Sequence, residues 1–377
     1  MDAKNESFIR MNDKIDVLWE GSFDNSGYGI WSRKTVEALS QSDKYKIGIT
    51  PYGRTILPDD DLYKYINVRL ENPIKVMNSI PTKSNIPSGN ITGYCTCTEI
   101  KNPPQDHINN MNKAKFVLAL SSYCTQIYKD VLDDPEKVFQ VNFPIPRGTF
   151  TPVGPRMTFE NHDDKFKFLF VGRIDVRKNI TDLIKAFTEE FGKNKNVLLI
   201  LKIYSPDYSV PMWINKQNPS KNILLFPDKM TDMSILYRSC DAYVTSDLGE
   251  AWSAPTQEAM LCGLPAIAPR HSGHLDYMNE DNSWLVDVSD WKPIGDRIDN
   301  LYESLLPAKG LVKYPDIDSL KNQMRNVYET FKFKPKEEVL KHPKIQNALK
   351  TQDIVDYKYV LKQLDDAFNW ITQKYKV

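Results

Sequence analysis

The stretch FLFVGRIDVRKN, residues 168–179, decides the fold class. An apolar run ends at Gly172, Arg173 follows at once, and Lys178 lies five residues further on. Beyond it, Ile180, Leu183, Ile184, Phe187 and Phe191 recur at helical spacing and share one face. A buried strand passing through a short polar loop into an amphipathic helix is the opening of a βαβ unit. The start of such a helix offers free N–H groups and a partial positive charge, both favourable to an anion. Arg173 and Lys178 beside it suit a diphosphate, though an R-x4-K pair is also common as solvated surface charge.

Toward the C-terminus, NVLLILKI (196–203), NILLF (222–226), AYVTS (242–246) and PAIAP (265–269) read as further buried strands, with a helix over MSILYRSC (233–240). Between the last two strands lies DLGEAWSAPTQEAMLCGLPAIAP (247–269). Glu250 falls in a loop after a strand. Glu258 falls in the first turns of a helix that starts near Pro255, a residue suited to a first helical position. A carboxylate accepts two hydrogen bonds and can hold a pair of sugar hydroxyls. Acids near a helix start also serve as simple caps. Ser253 and Ala254 place backbone N–H groups at that start. Helices over 319–331 and 353–371 close the chain.

Toward the N-terminus, IDVLW (15–19), YKIGIT (45–50) and KFVLAL (115–120) read as strands, with helices over 31–39 and 121–132. Gly27 and Gly29 flank Tyr28 between the first strand and its helix, where glycine lets backbone N–H groups approach a ligand. Pro144, Pro146, Pro152 and Pro155 break the pattern and mark a linker. Alternating strands and helices predict parallel α/β architecture. The expected layout is two doubly wound, Rossmann-like domains facing a cleft, 1–155 and 163–345, with a helical segment over 346–377. Ligands of such sheets bind at the carboxyl ends of the strands.

Composition narrows the function. Lysine plus arginine and aspartate plus glutamate stand at 49 each, without the basic excess of a nucleic-acid-binding domain. The five cysteines show no CxxC spacing, as in reduced cytosolic proteins. MDAKNESFIRMNDK lacks the apolar core of a signal peptide, and no run approaches the ~18 apolar residues of a spanning helix. A cytoplasmic protein without an integral membrane segment is expected. His271 and His274 have the spacing of a metal pair but no completing cluster. Asp316-Ile317-Asp318 precedes a helix instead of following a strand, and His107 reads as a solvated loop residue. No metal and no cofactor are expected.

VGRIDVRKNITDLIKAF and GEAWSAPTQEAMLCGLPAIA resemble segments of the large retaining glycosyltransferase family of GT-B fold, often numbered family 4. The likeness is specific over roughly 166–290 and also touches Met324, Arg325 and Tyr328. It implies an acceptor side in 1–155, a nucleotide-sugar side in 163–345 and a helix in 346–377 that packs back on the first domain, with Arg173 and Lys178 binding the donor's diphosphate, Glu258 the ribose and Glu250 lying at the donor sugar. It also implies that Asp228 and Met230 lie near the nucleobase. A G-Y-G loop with a later acidic residue, as in GYCTCTEIKNPP (93–104), further implies that Gly27 and Gly29 reach the diphosphate and that Glu99 stands by the reacting sugar. Ala251 and Ser253 depart from the family's glycines. The implied activity is transfer of a hexose from a nucleotide sugar to a glycan, lipid-linked, protein or DNA-base acceptor. An epimerase or hydrolase of the same fold and a non-catalytic nucleotide-sugar-binding protein are the alternatives.

Overall fold

The computed structural model describes residues 14–376 apart from 54, 57, 58, 90, 204–213, 215, 217–220 and 298–308. Its frame is a pair of six-stranded parallel sheets. The first contains β1 (Ile15–Gly21), β2 (Tyr45–Pro51), β3 (Ile74–Asn78), β4 (Thr92–Thr96), β5 (Val117–Ala119) and β6 (Val138–Gln140), in the order β2-β1-β3-β4-β5-β6. Helices α1 (Gly27–Leu39), α2 (Gln105–Lys113) and α3 (Ser122–Val131) accompany it.

The second sheet contains β7 (Phe166–Val171), β8 (Val197–Lys202), β9 (Ile223–Phe226), β10 (Ala242–Val244), β11 (Ala266–Pro269) and β12 (Trp284–Val286). Its order, β12-β11-β10-β7-β8-β9, is that of a Rossmann sheet. Helices α4 (Ile180–Phe191), α5 (Met233–Arg238), α6 (Ala254–Leu261) and α7 (Ile317–Phe331) belong to this half, with a small antiparallel pair β13 (Lys292–Pro293) and β14 (Leu311–Val312). The chain closes with α8 (Lys336–Val339), α9 (Pro343–Leu349) and α10 (Tyr357–Tyr375).

Each sheet anchors a core, and the first extends across the seam to Trp252, Met260 and Tyr277 of the second half. Val17, Trp19, Val76 and Leu118 anchor the first; Phe168, Phe187, Leu199 and Met324 anchor the second. The C-terminal helix belongs to the first core. Val360, Leu364, Ala367, Phe368 and Ile371 of α10 are fully buried there, and Phe368 meets Tyr45 edge-on at 5.6 Å. Burying such side chains stabilises by about 1.5–3 kcal/mol each, which ties the chain end to the opposite half.

Three sequence expectations need correction. The first helix begins at Gly27, not at residue 31, because the Ser26 hydroxyl accepts the Gly29 N–H at 3.1 Å and caps it. Gly27 and Gly29 therefore form the first helical turn. His107 sits in α2 instead of a loop. Strands β3, β4 and β6 were not anticipated: they run three to five residues, too short for a period to show. Asp316 caps α7, its carboxylate accepting the Ser319 N–H at 2.7 Å.

Candidate active site

In the second sheet, β7 pairs with β8 on one side and with β10 on the other, so the strand order reverses between β7 and β10. Loops leaving that reversal diverge and open a crevice. The loop after β7 carries residues 172–179 and the loop after β10 carries residues 245–253. Asp175 accepts the Arg177 N–H at 2.8 Å and starts a tight turn over Val176–Lys178, which delivers Arg177 and Lys178 inward.

Lys178 Nζ lies 2.5 Å from Glu250 Oε1 and 3.4 Å from Asp247 Oδ1. Arg177 pairs with the same Glu250 oxygen and donates to the Gly249 carbonyl at 3.1 Å. Its Nε stands 4.0 Å from Glu99 Oε1, a residue of the first half. Burial opposes the charge on Lys178 and Arg177, but Asp247 and Glu250 for the lysine, and Glu250 and Glu99 for the arginine, outweigh it and raise both pKa values. Burial likewise opposes ionisation of Asp247, yet Lys178, His274 and Arg177 hold its carboxyl well below the usual range. Glu99 goes the other way: desolvation raises it against the pull of Arg177.

Two glycines make this approach possible. A Cβ on Gly249 would lie 2.2 Å from the Glu99 carbonyl oxygen, so only glycine lets the second half abut the first here. A Cβ on Gly273 would lie 2.1 Å from the Ala251 carbonyl oxygen. The Gly273 N–H donates to the Glu250 carbonyl at 2.8 Å, and the Glu250 N–H donates to Ser272 Oγ at 3.1 Å. The backbone of Glu250 is thus held from both sides.

The remaining candidate residues lie outside this network of ion pairs. Arg173 is exposed and has no ion pair or hydrogen bond among the described residues. Ser253 adopts a left-handed conformation, φ 65°, at the start of α6, and its hydroxyl meets Thr256 Oγ1 at 2.9 Å. Ala254 opens that helix. Glu258 accepts a hydrogen bond from the Tyr237 hydroxyl at 2.8 Å, and burial pushes its carboxyl up to about 7 against that bond. Asp228 and Met230 lie just past β9, with Lys202 donating to the Asp228 carbonyl at 2.5 Å. In the first half, Tyr28 ties the start of α1 to the end of β4 through Thr96 Oγ1 at 3.2 Å. The space beside Gly27 is open, whereas Gly29 backs onto Asp24. His274 Nε2 faces Asp247 Oδ2 at 3.4 Å, and burial drives the His271 imidazole down to about 3.

The structure therefore brings Lys178, Glu250 and Glu99 together and adds Arg177 and Asp247, which sequence reasoning had not singled out. Arg173 stands apart from that network.

Two facing Rossmann-like sheets, a chain end that returns to the first of them and a polar cluster at the second sheet's reversal point define a GT-B architecture. Residues 157–314, which span the whole of the second sheet and its site loops, match the family model described as Glycosyl transferases group 1. The capsular polysaccharide biosynthesis glycosyltransferase CapM of Staphylococcus aureus is 27% identical over 144 residues, an alignment spanning 37% of this chain and 37% of that protein. Among solved structures, a glycosyltransferase from Rickettsia africae ESF-5 superimposes with a TM-score of 0.66 at 16% identity, covering 95% of this chain and 99% of that one. HepE of Anabaena, in complex with UDP and glucose, gives 0.62 at 11% identity, covering 95% and 100%. Sucrose-phosphate synthase of Thermosynechococcus elongatus gives 0.62 at 13% identity, covering 96% and 100%. At these identities the likeness is one of fold. Among the described residues, no helix is long and apolar enough to cross a membrane.

Proposed function

We propose that this protein is a retaining glycosyltransferase that moves a hexose from a nucleotide-diphosphate sugar to a hydroxyl-bearing acceptor. The acceptor is a glycan, a lipid-linked glycan, a protein or a DNA base. The observation that carries the reading is the Lys178–Glu250 contact at the reversal point, with the unpaired Arg173 on the same loop. A structure of this fold solved with UDP and glucose supports it.

In this reading Glu250 is the counter-ion of Lys178 until donor arrives. The diphosphate then takes the ammonium, with Arg173 as its second cation, and Glu250 turns to the sugar hydroxyls. As the C1–phosphate bond breaks, its electron pair passes to a diphosphate oxygen, where fixed cations stabilise the growing charge. The acceptor oxygen bonds C1 from the same face and its proton passes to that phosphate oxygen. Glu99 and Glu250 border the positive charge developing on the sugar ring. Glu258 holds the ribose, the loop bearing Asp228 and Met230 flanks the base, and the α6 start at Ser253 and Ala254 faces the phosphates. Gly27, with open space beside it, borders the cleft from the first half, as does Gly29 behind it. Lys178 and Arg173 supply the charge a metal would otherwise bring, so we propose a metal-independent reaction without a cofactor. The unpaired cysteines favour a cytoplasmic setting.

A nucleotide-release screen over nucleotide sugars, followed by NMR of the product's anomeric centre, tests the proposal. Retention in a transferred product supports it. Release of free or isomerised sugar replaces it with hydrolysis or epimerisation, and tight donor binding without turnover on any acceptor removes catalysis altogether.

A further inference from the structure

The chain passes between the two cores twice. Ile145 belongs to the first core and Phe159 packs in the second half; later, Ile345 belongs to the second core and Ala348 to the first. A cavity of about 250 Å³ lies at the second-half end of the first crossing. Arg156 and Met157 line it from the first crossing, and Lys334 and Lys336 from the link between α7 and α8 that precedes the second. It sits at the amino end of the sheet, beside the first residues of β7 and the approach to β10, away from the loops that build the candidate active site.

The lining charge is one-sided. Arg156, Lys167, Arg238, Lys334 and Lys336 face two carboxylates, Asp163 and Asp241. Both carboxylates are occupied by backbone: Asp163 accepts the Phe159 N–H and Asp241 the Lys167 N–H, each at 2.8 Å. Arg238 and Lys167 are buried, and their side chains donate to carbonyl oxygens, Arg238 to Pro155 at 2.8 Å and Lys167 to Asp163 at 2.9 Å. Carbonyls satisfy hydrogen bonds without cancelling charge. Lys336 Nζ reaches only the Cys240 carbonyl, at 3.4 Å, and Arg156 has no ion pair among the described residues. Desolvation and the repulsion of Arg156 both depress the Lys336 ammonium, against the pull of Asp241. An anion between these two side chains would relieve that repulsion and gain charge-assisted hydrogen bonds.

We propose that this cavity is a binding site for a small phosphate-bearing anion, which ties the first interdomain crossing to the start of α8 through Arg156 and Lys336. The site stands independently of the transferase reading.

Inorganic phosphate is the probe. Titrated into the full chain, it is expected to raise the melting temperature saturably, beyond potassium chloride at matched ionic strength. It should also slow amide exchange in both 146–157 and 332–345. Arg156→Gln with Lys336→Gln should weaken the apparent affinity by about tenfold or more, the worth of lost charge-assisted bonds. Arg173→Gln, in the cleft, should leave the titration unchanged. Arg156 is exposed, so Arg156→Gln alone should leave the fold intact and give a smaller loss in the same direction. An effect equal to that of chloride, a titration indifferent to Arg156 and Lys336, or one abolished by Arg173→Gln would overturn the site. Protection of only one of these two segments would overturn the tie between them.

Discussion

Lys178 and Glu250 stand on loops that leave neighbouring strands β7 and β10 in opposite directions, yet their charged atoms lie 2.5 Å apart. Both side chains are below a tenth exposed, with Asp247 sharing Lys178 and Arg177 sharing Glu250. Removing one partner of a buried pair costs about 3–5 kcal/mol, because the survivor is left unpaired. Lys178→Met should therefore lower the unfolding free energy from denaturant titration by up to about that amount, Asp247 losing its lysine while Glu250 keeps Arg177. Glu250→Gln keeps the shape and should cost less stability. If Glu250 serves the sugar, its kcat should fall about 10²-fold, the order seen when one transition-state hydrogen bond is removed. A Glu250→Gln enzyme with unchanged kcat would remove Glu250 from the reaction.

Arg173 offers the complementary case. It is exposed and makes no described bond, so Arg173→Ala should leave the melting temperature within about a degree or two, as surface changes do. Losing a charge-assisted contact to the diphosphate should nevertheless lower kcat/KM about 10–100-fold. Donor titration by calorimetry separates the two effects; undiminished donor affinity would place the diphosphate elsewhere.

Gly249→Ala tests the seam between the halves. Its Cβ would fall 2.2 Å from the Glu99 carbonyl, inside any tolerable contact. The two halves must part by an ångström or more, which displaces Glu99 from Arg177. Activity should drop by at least about 10²-fold, since misplacement on that scale is costly in a preorganised site. Small-angle scattering should show a slightly larger radius, and an unchanged radius with full activity would contradict the contact.

Glu258 makes a pH prediction. Its carboxyl is raised from 4.5 to about 7 by burial, so the folded protein binds its proton more tightly than the unfolded chain. The associated stability is complete below pH 4.5 and is lost as pH rises through about 7. Glu258→Gln, which never ionises, should be the more stable form at pH 8, by about 3 kcal/mol at most, with the difference gone at pH 4. Ribose hydroxyls donate best to the ionised carboxylate, so KM for the donor should fall as pH climbs from 6 to 8. A flat KM over that range would detach Glu258 from the nucleoside.

Much of this molecule is legible in its sequence, for identifiable reasons. The second half announces itself because its strands are long apolar runs followed by helices with clear periodicity, and Lys178 and Glu250 each fall just beyond such a run. Arg177 and Asp247 lie in the same two segments but look like ordinary loop charges. Only the adjacency of β7 and β10, paired across more than seventy positions, buries them together. The start of α1 is obscured by two glycines, whose turn propensity outweighs a single capping serine. The contact of Ser122 with Asp276, which seats a carboxylate from the second half on α3 of the first, leaves no local trace at all.

The return of α10 to the first core has a consequence for engineering. The second half is not a C-terminal module but an insert, entered near residue 157 and left near residue 352. A chimera cut once, after the proline-rich segment, would carry away Val360, Leu364 and Phe368 and leave the N-terminal portion with an open core. Two cuts are needed, and the piece between them can be exchanged as a cassette only if the incoming loop also presents a glycine where Gly249 meets Glu99.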